Sequence, residues 1–379
     1  MIRRRFTLGT LLSLSQAEMA WANRIVISTK QRQQAFYSWV TRLQPEQGQG
    51  LVGYMDDGSS AKGVLSTIAS ADLLLLWLRI GRTDLAAAVG DGLVTWQRHV
   101  RRTAPQAVAG GMPSEFLPQG GQWVPGSHYY AGDNLVTMAA LLELHAATRV
   151  ASYAETAVRI GAWMEGSLFD GKRLGVWRRN YGPPMQFVRE DGAVNNEIHA
   201  GVDFLWLRAL RMLHHLEPNR GWAERLNLAV GFYAGAQAPG GAWYDHFKPL
   251  ERHGTGGTWR GYRNTDVVLG DNSLRSALAA HQFGLDRQTE LFAKWFRPVQ
   301  NRWVYGYLDP SGAGPKFLAV DTPYFDVVCT GLLRAWYRKT GQQQLAEKCQ
   351  AGLDALQARN GWWHWGAIAN TLSPLNREQ

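Results

Sequence analysis

Apolar residues recur at helical spacing in five successive pairs of segments along this 379-residue chain. The pairs are 63–79 with 84–100, 135–148 with 152–165, 199–216 with 221–236, 274–283 with 287–296, and 325–340 with 343–358. Short turns with helix-stop chemistry join the partners, at Gly81-Arg82-Thr83, Pro218-Asn219, Gly284 and Thr340-Gly341. Longer connections rich in Gly, Pro, Trp and Tyr separate the pairs, at 110–132, 170–197, 239–270 and 299–322. Hairpins starting roughly 55–75 residues apart read as a helical repeat. A sixth hairpin is expected from 30–43 and the stretch after Gly361. Because each hairpin has a short end and a long end, the long loops all fall on one face, where a site would form. No linker interrupts residues 23–379, so they read as one all-α domain.

The tripeptide Gly-Asp-Asn stands before two of the helical segments. Gly132-Asp133-Asn134 precedes LVTMAALLELHAATR, and Gly270-Asp271-Asn272 precedes SLRSALAAHQFG. Asp56-Asp57, Asn195-Asn196-Glu197 and Asp321 are similar openings. Asp and Asn are strong helix N-caps, and capping alone would account for each. Glu197 also suits a capping box. The doubled polar residues and the long aromatic loops before them point instead to a cluster of carboxylates around a cleft.

Composition narrows the partners. The chain has a formal charge of +9, but its Lys and Arg are scattered and no nucleic-acid motif is present. No stretch is long enough to span a bilayer. The chain lacks P-loop and dinucleotide patterns, and its His and Cys show no metal-ligand spacing, so no metal or other cofactor is expected. Cys329 and Cys349 fall on successive helices and suit either a disulfide or two buried thiols. Arg3-Arg4-Arg5-Phe6, the apolar run Leu8–Leu14 and Ala20-Trp21-Ala22 read as a twin-arginine-like export signal over residues 1–22, with a periplasmic or secreted destination. A monomer is expected.

The paired helices, together with the Asp-Asn and Asp-x-Pro-Tyr openings, resemble the six-hairpin glycosidase-like superfamily of (α/α)6 toroids. The resemblance covers most of the chain after residue 22 and rests on architecture. It implies that inner helices aim their N-termini at a central cleft holding catalytic carboxylates. Carried to this sequence, it implicates Asp57, Asp133, Glu197, Asp271 and Asp321. It also implies a poly- or oligosaccharide substrate.

Glycoside hydrolysis needs a protonated carboxylic acid on one side of the bond and an ionised carboxylate on the other. Burial and a like-charged neighbour keep the first protonated, while a helix dipole favours the second. Asp133, Glu197 and Asp271 are the candidate acidic core, with Asp57 next. Pyranose rings expose an apolar C–H face that flat side chains bind. Trp123, Tyr129, Tyr130, Trp177, Trp259, Tyr262, Trp303 and Trp363 are loop aromatics fit for that task. Asn134 and Asn196 could hold sugar hydroxyls. Arg260 and Arg263 would suit an acidic glycan, since guanidinium grips carboxylates in two-point fashion. Two rivals stand beside a hydrolase. One is a polysaccharide lyase or uronyl epimerase, using Tyr129, His128 or His199 as base with Asn196 or Arg263 neutralising a uronate. The other is a non-catalytic glycan-binding accessory of exopolysaccharide secretion.

Overall fold

The computed structural model describes residues 50–53, 64–79, 81–167, 187–195, 198–199, 203–235, 237, 240–243, 246–249, 261–263, 268–295, 307–308 and 323–360. Five helical hairpins stand where the periodicity places them. They are α1 (Thr67–Arg79) with α2 (Thr83–Thr103), α3 (Ala131–Thr148) with α4 (Ala151–Ser167), α5 (Asp203–Leu216) with α6 (Trp222–Gly235), α7 (Gly270–Gln282) with α8 (Asp286–Trp295), and α9 (Pro323–Lys339) with α10 (Gln343–Asn360). The expected sixth hairpin and the export signal lie outside the described residues.

Burial separates two kinds of helix. Along α1 the buried run is almost continuous from Ala69 to Trp77, and along α3 it is unbroken from Asn134 to Leu142. A helix apolar all round must be enclosed on every side. On α2, buried Ala86, Val89, Gly90, Leu93, Gln97 and Val100 form one stripe, leaving the other face to solvent. The odd-numbered helices accordingly pack in sequence, α1 on α3, α3 on α5, α5 on α7 and α7 on α9. Each even-numbered helix packs outside its partner. The result is an inner layer of helices with an outer layer around it. A partly buried ion pair, Arg208 with Glu143, joins inner helices α5 and α3. Trp77, Trp206, Trp222, Trp243 and Trp336 are all fully buried. Each contributes of the order of 1.5–3 kcal/mol by leaving water.

Three hairpin turns share one geometry. Gly81, Gly284 and Gly341 take left-handed φ values of 78°, 72° and 73°. The next residue then donates back five positions: Arg82 to Trp77, Leu285 to Ala280 and Gln342 to Tyr337, at 2.8, 2.8 and 2.7 Å. This closes the free carbonyls of the first helix in a Schellman motif. The α3–α4 turn does without glycine; Arg149 takes the left-handed position at φ 63°.

The long connections are not plain loops. They carry short strands that stitch neighbouring connections together at one rim. β1 (Val52–Gly53), β2 (Leu65–Ser66), β3 (Glu115–Gln119) and β4 (Gln122–Pro125) form one antiparallel sheet. β5 (His128–Tyr130), β6 (Phe187–Arg189) and β7 (Val194–Asn195) form a second. β8 (Ile198–His199), β9 (His246–Pro249) and β10 (Gly261–Arg263) form a third, and β11 (Val268–Leu269) pairs with β12 (Tyr307–Leu308). Helical periodicity gave no warning of these strands, because they are short; some pair locally, as β3 with β4, and others join separate connections, as β5 with β6.

A repeated side-chain clip fixes the start of three inner helices. The fourth residue of each holds the backbone of the preceding connection. On α1, the Ser70 hydroxyl accepts from Val52 N–H at 3.0 Å and donates to Ser66 C=O at 2.7 Å. On α3, Asn134 accepts from Met112 N–H at 2.8 Å and donates to Met112 C=O at 2.9 Å and Tyr130 C=O at 2.8 Å. On α7, Ser273 accepts from Trp243 N–H at 3.2 Å and donates to Trp243 C=O at 3.0 Å. A double glycine precedes two of the clipped segments, Gly110-Gly111 and Gly240-Gly241. A Cβ on Gly111 would sit 2.8 Å from the Trp163 ring, and one on Gly241 would sit 2.3 Å from the Leu291 carbonyl oxygen. The chain must pass that close for the clip to reach it.

Asn134→Ala should therefore destabilise the fold, since buried Met112 groups lose their partners at roughly 1–3 kcal/mol each. The check is a urea unfolding midpoint; an unchanged midpoint sinks the clip.

Candidate active site

Asp133 is the third residue of α3, inside its first turn rather than ahead of it. The helix begins after Tyr130, which makes no side-chain capping bond. Asp133 is thus not the N-cap residue. Its partly exposed side chain stands at the rim end of an inner helix, next to β5.

Local hydrogen bonds gather three elements here. The Ser114 carbonyl accepts from Thr67 N–H at the start of α1 at 3.0 Å, and Ser114 N–H donates to His128 C=O of β5 at 2.9 Å. Glu115 follows on β3, paired with Ser66 in register. The starts of α1 and α3 and the edge carrying Glu115 are thereby fixed together.

The electrostatics follow from that convergence. Burial pushes the Asp133 carboxyl up to about 6, with a further upward push from the charge of Glu115 and a downward pull from the Ser114 hydroxyl. That hydroxyl is itself buried. Tyr130 is also held above its usual value, by burial first and then by the charges of Asp133 and Glu115. Deeper in α1 lies Asp72, only 6% exposed in a run of leucines. Burial pushes it up to about 8, opposed by the positive charge of Arg275 on α7 and reinforced by Asp133. In the sequence of inner helices α1 and α7 are three apart, so this charge contact reaches across the inner layer. Burial thus favours the neutral form of Asp72. A carboxyl poised like Asp133 can donate a proton and take it back near neutrality.

The sequence candidates divide into four groups. Asp133 and Tyr130 come together with Glu115 at the rim. Tyr129 and Asn134 do not serve there: Tyr129 is 1% exposed and packs toward Trp163 with ring centroids 6.1 Å apart, and Asn134 spends its amide on Met112 and Tyr130. Burial also drives the Tyr129 hydroxyl far above its ordinary range, which removes it as a base. Trp123 is half-buried on β4, with one side against the core. Asp57, Trp177, Asn196, Glu197, Trp259, Arg260, Trp303 and Trp363 lie outside the described residues, as do Asp321 and the side chains of His199, Asp271, Tyr262 and Arg263.

The two Gly-Asp-Asn copies also differ in register. Aligning the clips Asn134 and Ser273 puts Asn272 at the helix position of Asp133, with Asp271 one residue earlier. One residue is about 100° around a helix, so the copies are not equivalent in space. Sequence reading missed Asp72, Glu115 and Arg275. A signal existed for Asp72: it is the lone charge in IASADLLLLWL, inside an otherwise apolar helix. Cys349 is a buried free thiol, pushed up to about 12 by that burial; the Cys329 side chain lies outside the described residues. No helix among the described residues is long and apolar enough to cross a membrane.

No family model matches the sequence, and no curated protein is similar to it at the sequence level. Solved structures are similar to it in fold. An alpha-amylase from Clostridium perfringens matches with a TM-score of 0.63 at 11% identity, over 94% of this chain and 100% of that one. A cellobiose 2-epimerase from Bacillus thermoamylovorans matches at 0.60 and 10% identity, over 87% and 86% of the two chains. A family 8 endoglucanase from Klebsiella pneumoniae matches at 0.54 and 13% identity, over 84% and 99%. The chain has the (α/α)6 toroid fold, and the likeness to the six-hairpin glycosidase-like superfamily holds at the level of fold.

The buried acid gives a stability test. Asp72 binds its proton more tightly folded (about 8) than unfolded (3.8), so its contribution is fully present below about 4 and is lost as pH rises to about 8. Asp72→Asn keeps a neutral group throughout. The melting temperature of the variant relative to the parent should rise between pH 4 and 8 and level off above; a pH-independent difference would contradict this.

Proposed function

We propose that this protein is a carbohydrate-active enzyme, a glycoside hydrolase in which Asp133 is the general acid. The observation that carries the reading is the place of Asp133, in the first turn of an inner helix at the rim where Ser114 ties α1, β3 and β5 together, with burial raising its carboxyl above the ordinary range. The fold shared with an amylase and an endoglucanase supports the substrate class. A carboxyl of this kind holds its proton long enough to give it to a departing sugar oxygen. The second carboxylate is drawn from Glu115, Glu197, Asp271 and Asp57. The substrate is a poly- or oligosaccharide, and the basic balance of the chain favours an acidic one. Export to the periplasm or medium rests on the pattern of residues 1–22, and the protein acts as a monomer.

Reversible proton transfer at a sugar carbon is the second reading, favoured by the likeness to a cellobiose 2-epimerase. His128, whose ring stands on β5 beside the Ser127 hydroxyl at 3.0 Å, is then the base.

With a hydrolysed glycan in hand, Asp133→Asn should lower kcat by roughly 100- to 10,000-fold. The parent should lose activity as pH rises through about 6, because its acid is then ionised. The variant should lack that limb and recover on a nitrophenyl glycoside, whose leaving group needs no proton. Equal losses on natural and nitrophenyl substrates would remove Asp133 from the acid role. Azide added to alanine variants at Glu115, Glu197, Asp271 and Asp57 should restore turnover only where the second carboxylate was deleted. A cellobiose product with unchanged mass and inverted C2 would favour epimerisation instead.

A further inference from the structure

The strand leading into α3 carries a cluster of rings to which the hydrolase reading gives no proton-transfer role. β5 alternates in burial, with Tyr129 inward and His128 and Tyr130 on the outer face. β6 pairs antiparallel to it, setting Phe187 opposite Tyr130, Val188 opposite Tyr129 and Arg189 opposite His128. Val188 is fully buried, so Phe187 shares the outer face with His128 and Tyr130. The three rings touch. His128 and Tyr130 lie 6.0 Å apart between centroids, nearly parallel at 18°. Phe187 meets Tyr130 at 4.9 Å and His128 at 5.4 Å, tilted by 55° and 65°. All three stay partly exposed. Arg189 beyond them is held by Asp191 at 3.3 Å, in an exposed pair.

Three partly wet rings at one rim are costly to leave in water. Their position says what covers them. Tyr130 is the residue after which α3 begins, three positions before Asp133 in the first turn of that helix. The cluster is thus continuous with the carboxylates, on the sheet that feeds directly into α3.

We propose that His128, Tyr130 and Phe187 form a sugar-binding subsite that packs the apolar C–H face of a pyranose unit beside Asp133. The assignment rests on the glycoside-hydrolase reading above and adds the place where one unit of the chain is held. Flat rings bind such a face without demanding charge, and offset aromatic contacts of this type are individually modest. Phe187 adds no charge and no hydrogen bond, so its effect on ligand should be one of contact alone.

The test uses full-length Asp133→Asn protein, in which turnover does not obscure binding, with cellohexaose, maltohexaose and xylohexaose as calorimetric probes. Adding Phe187→Ala should weaken the bound oligosaccharide roughly three- to tenfold, the size of one ring contact. Phe187→Tyr should stay within about twofold of the parent, and melting curves should show both folded. Unchanged affinity in Phe187→Ala overturns the subsite. So does an equal loss in the alanine and tyrosine variants, which marks a packing role. If none of the three oligosaccharides binds the protein, the subsite falls, while the hydrolase reading is decided separately by the loss of kcat in Asp133→Asn. If Asp133→Asn turns over like the parent while Phe187→Ala still weakens binding, the acid assignment falls and the subsite stands.

Discussion

Enclosure of the inner helices is the constraint on which the rest of the molecule depends. α1 and α3 bury almost every residue in turn, so they have no solvent face. They must be flanked on both sides by other inner helices and backed by outer ones. Once the hairpins alternate inner and outer with short turns at one end, every long connection is delivered to the other end. The rim where the carboxylates meet is a consequence of how these helices hide their leucines.

That arrangement makes the chemistry of Asp133 and Asp72 intelligible. An acid in an apolar helix loses hydration, and loss of hydration penalises its charged form. Asp72, deep in α1, takes the full effect. Asp133, in the first turn of α3, is raised by the same cause but drawn back by the Ser114 hydroxyl, and so ends lower than Asp72. The same burial that stabilises the ring of helices thus tunes the acids set within it. The clips of Ser70, Asn134 and Ser273 then hold the rim connections to their helices, which keeps such acids at fixed places relative to the sheets.

Much of this was legible in the sequence. The hairpins, their short turns and the one-sided distribution of long loops follow from periodicity and from Gly81, Gly284 and Gly341. Asp133 was legible as a polar opening to an apolar helix. Asn134 was misread for a physical reason: an amide next to a candidate acid looks the same in sequence whether it faces a ligand or a backbone strand. Tyr129 was misread because a three-residue strand alternates its faces, and only pairing with β6 decides that it turns inward while Tyr130 turns out. Trp243 shows the same limit, since a tryptophan in a Gly-rich loop proves to be fully buried, with its indole N–H on the Tyr233 carbonyl at 3.1 Å.

By itself the sequence determined the repeat, the class of fold and the kind of residue that opens its helices, because these depend on spacing along one helix. The tertiary structure decided which polar residues meet. Asp72 of α1, Asp133 of α3 and Arg275 of α7 are distant in the chain and share no motif, yet the charges of Arg275 and Asp133 both act on Asp72. The strand pairings that gather His128, Tyr130 and Phe187 are likewise set between connections rather than within them. Local periodicity fixes what each helix must hide. Only the packing of one hairpin on the next fixes which of the remaining polar and aromatic groups stand together at the rim.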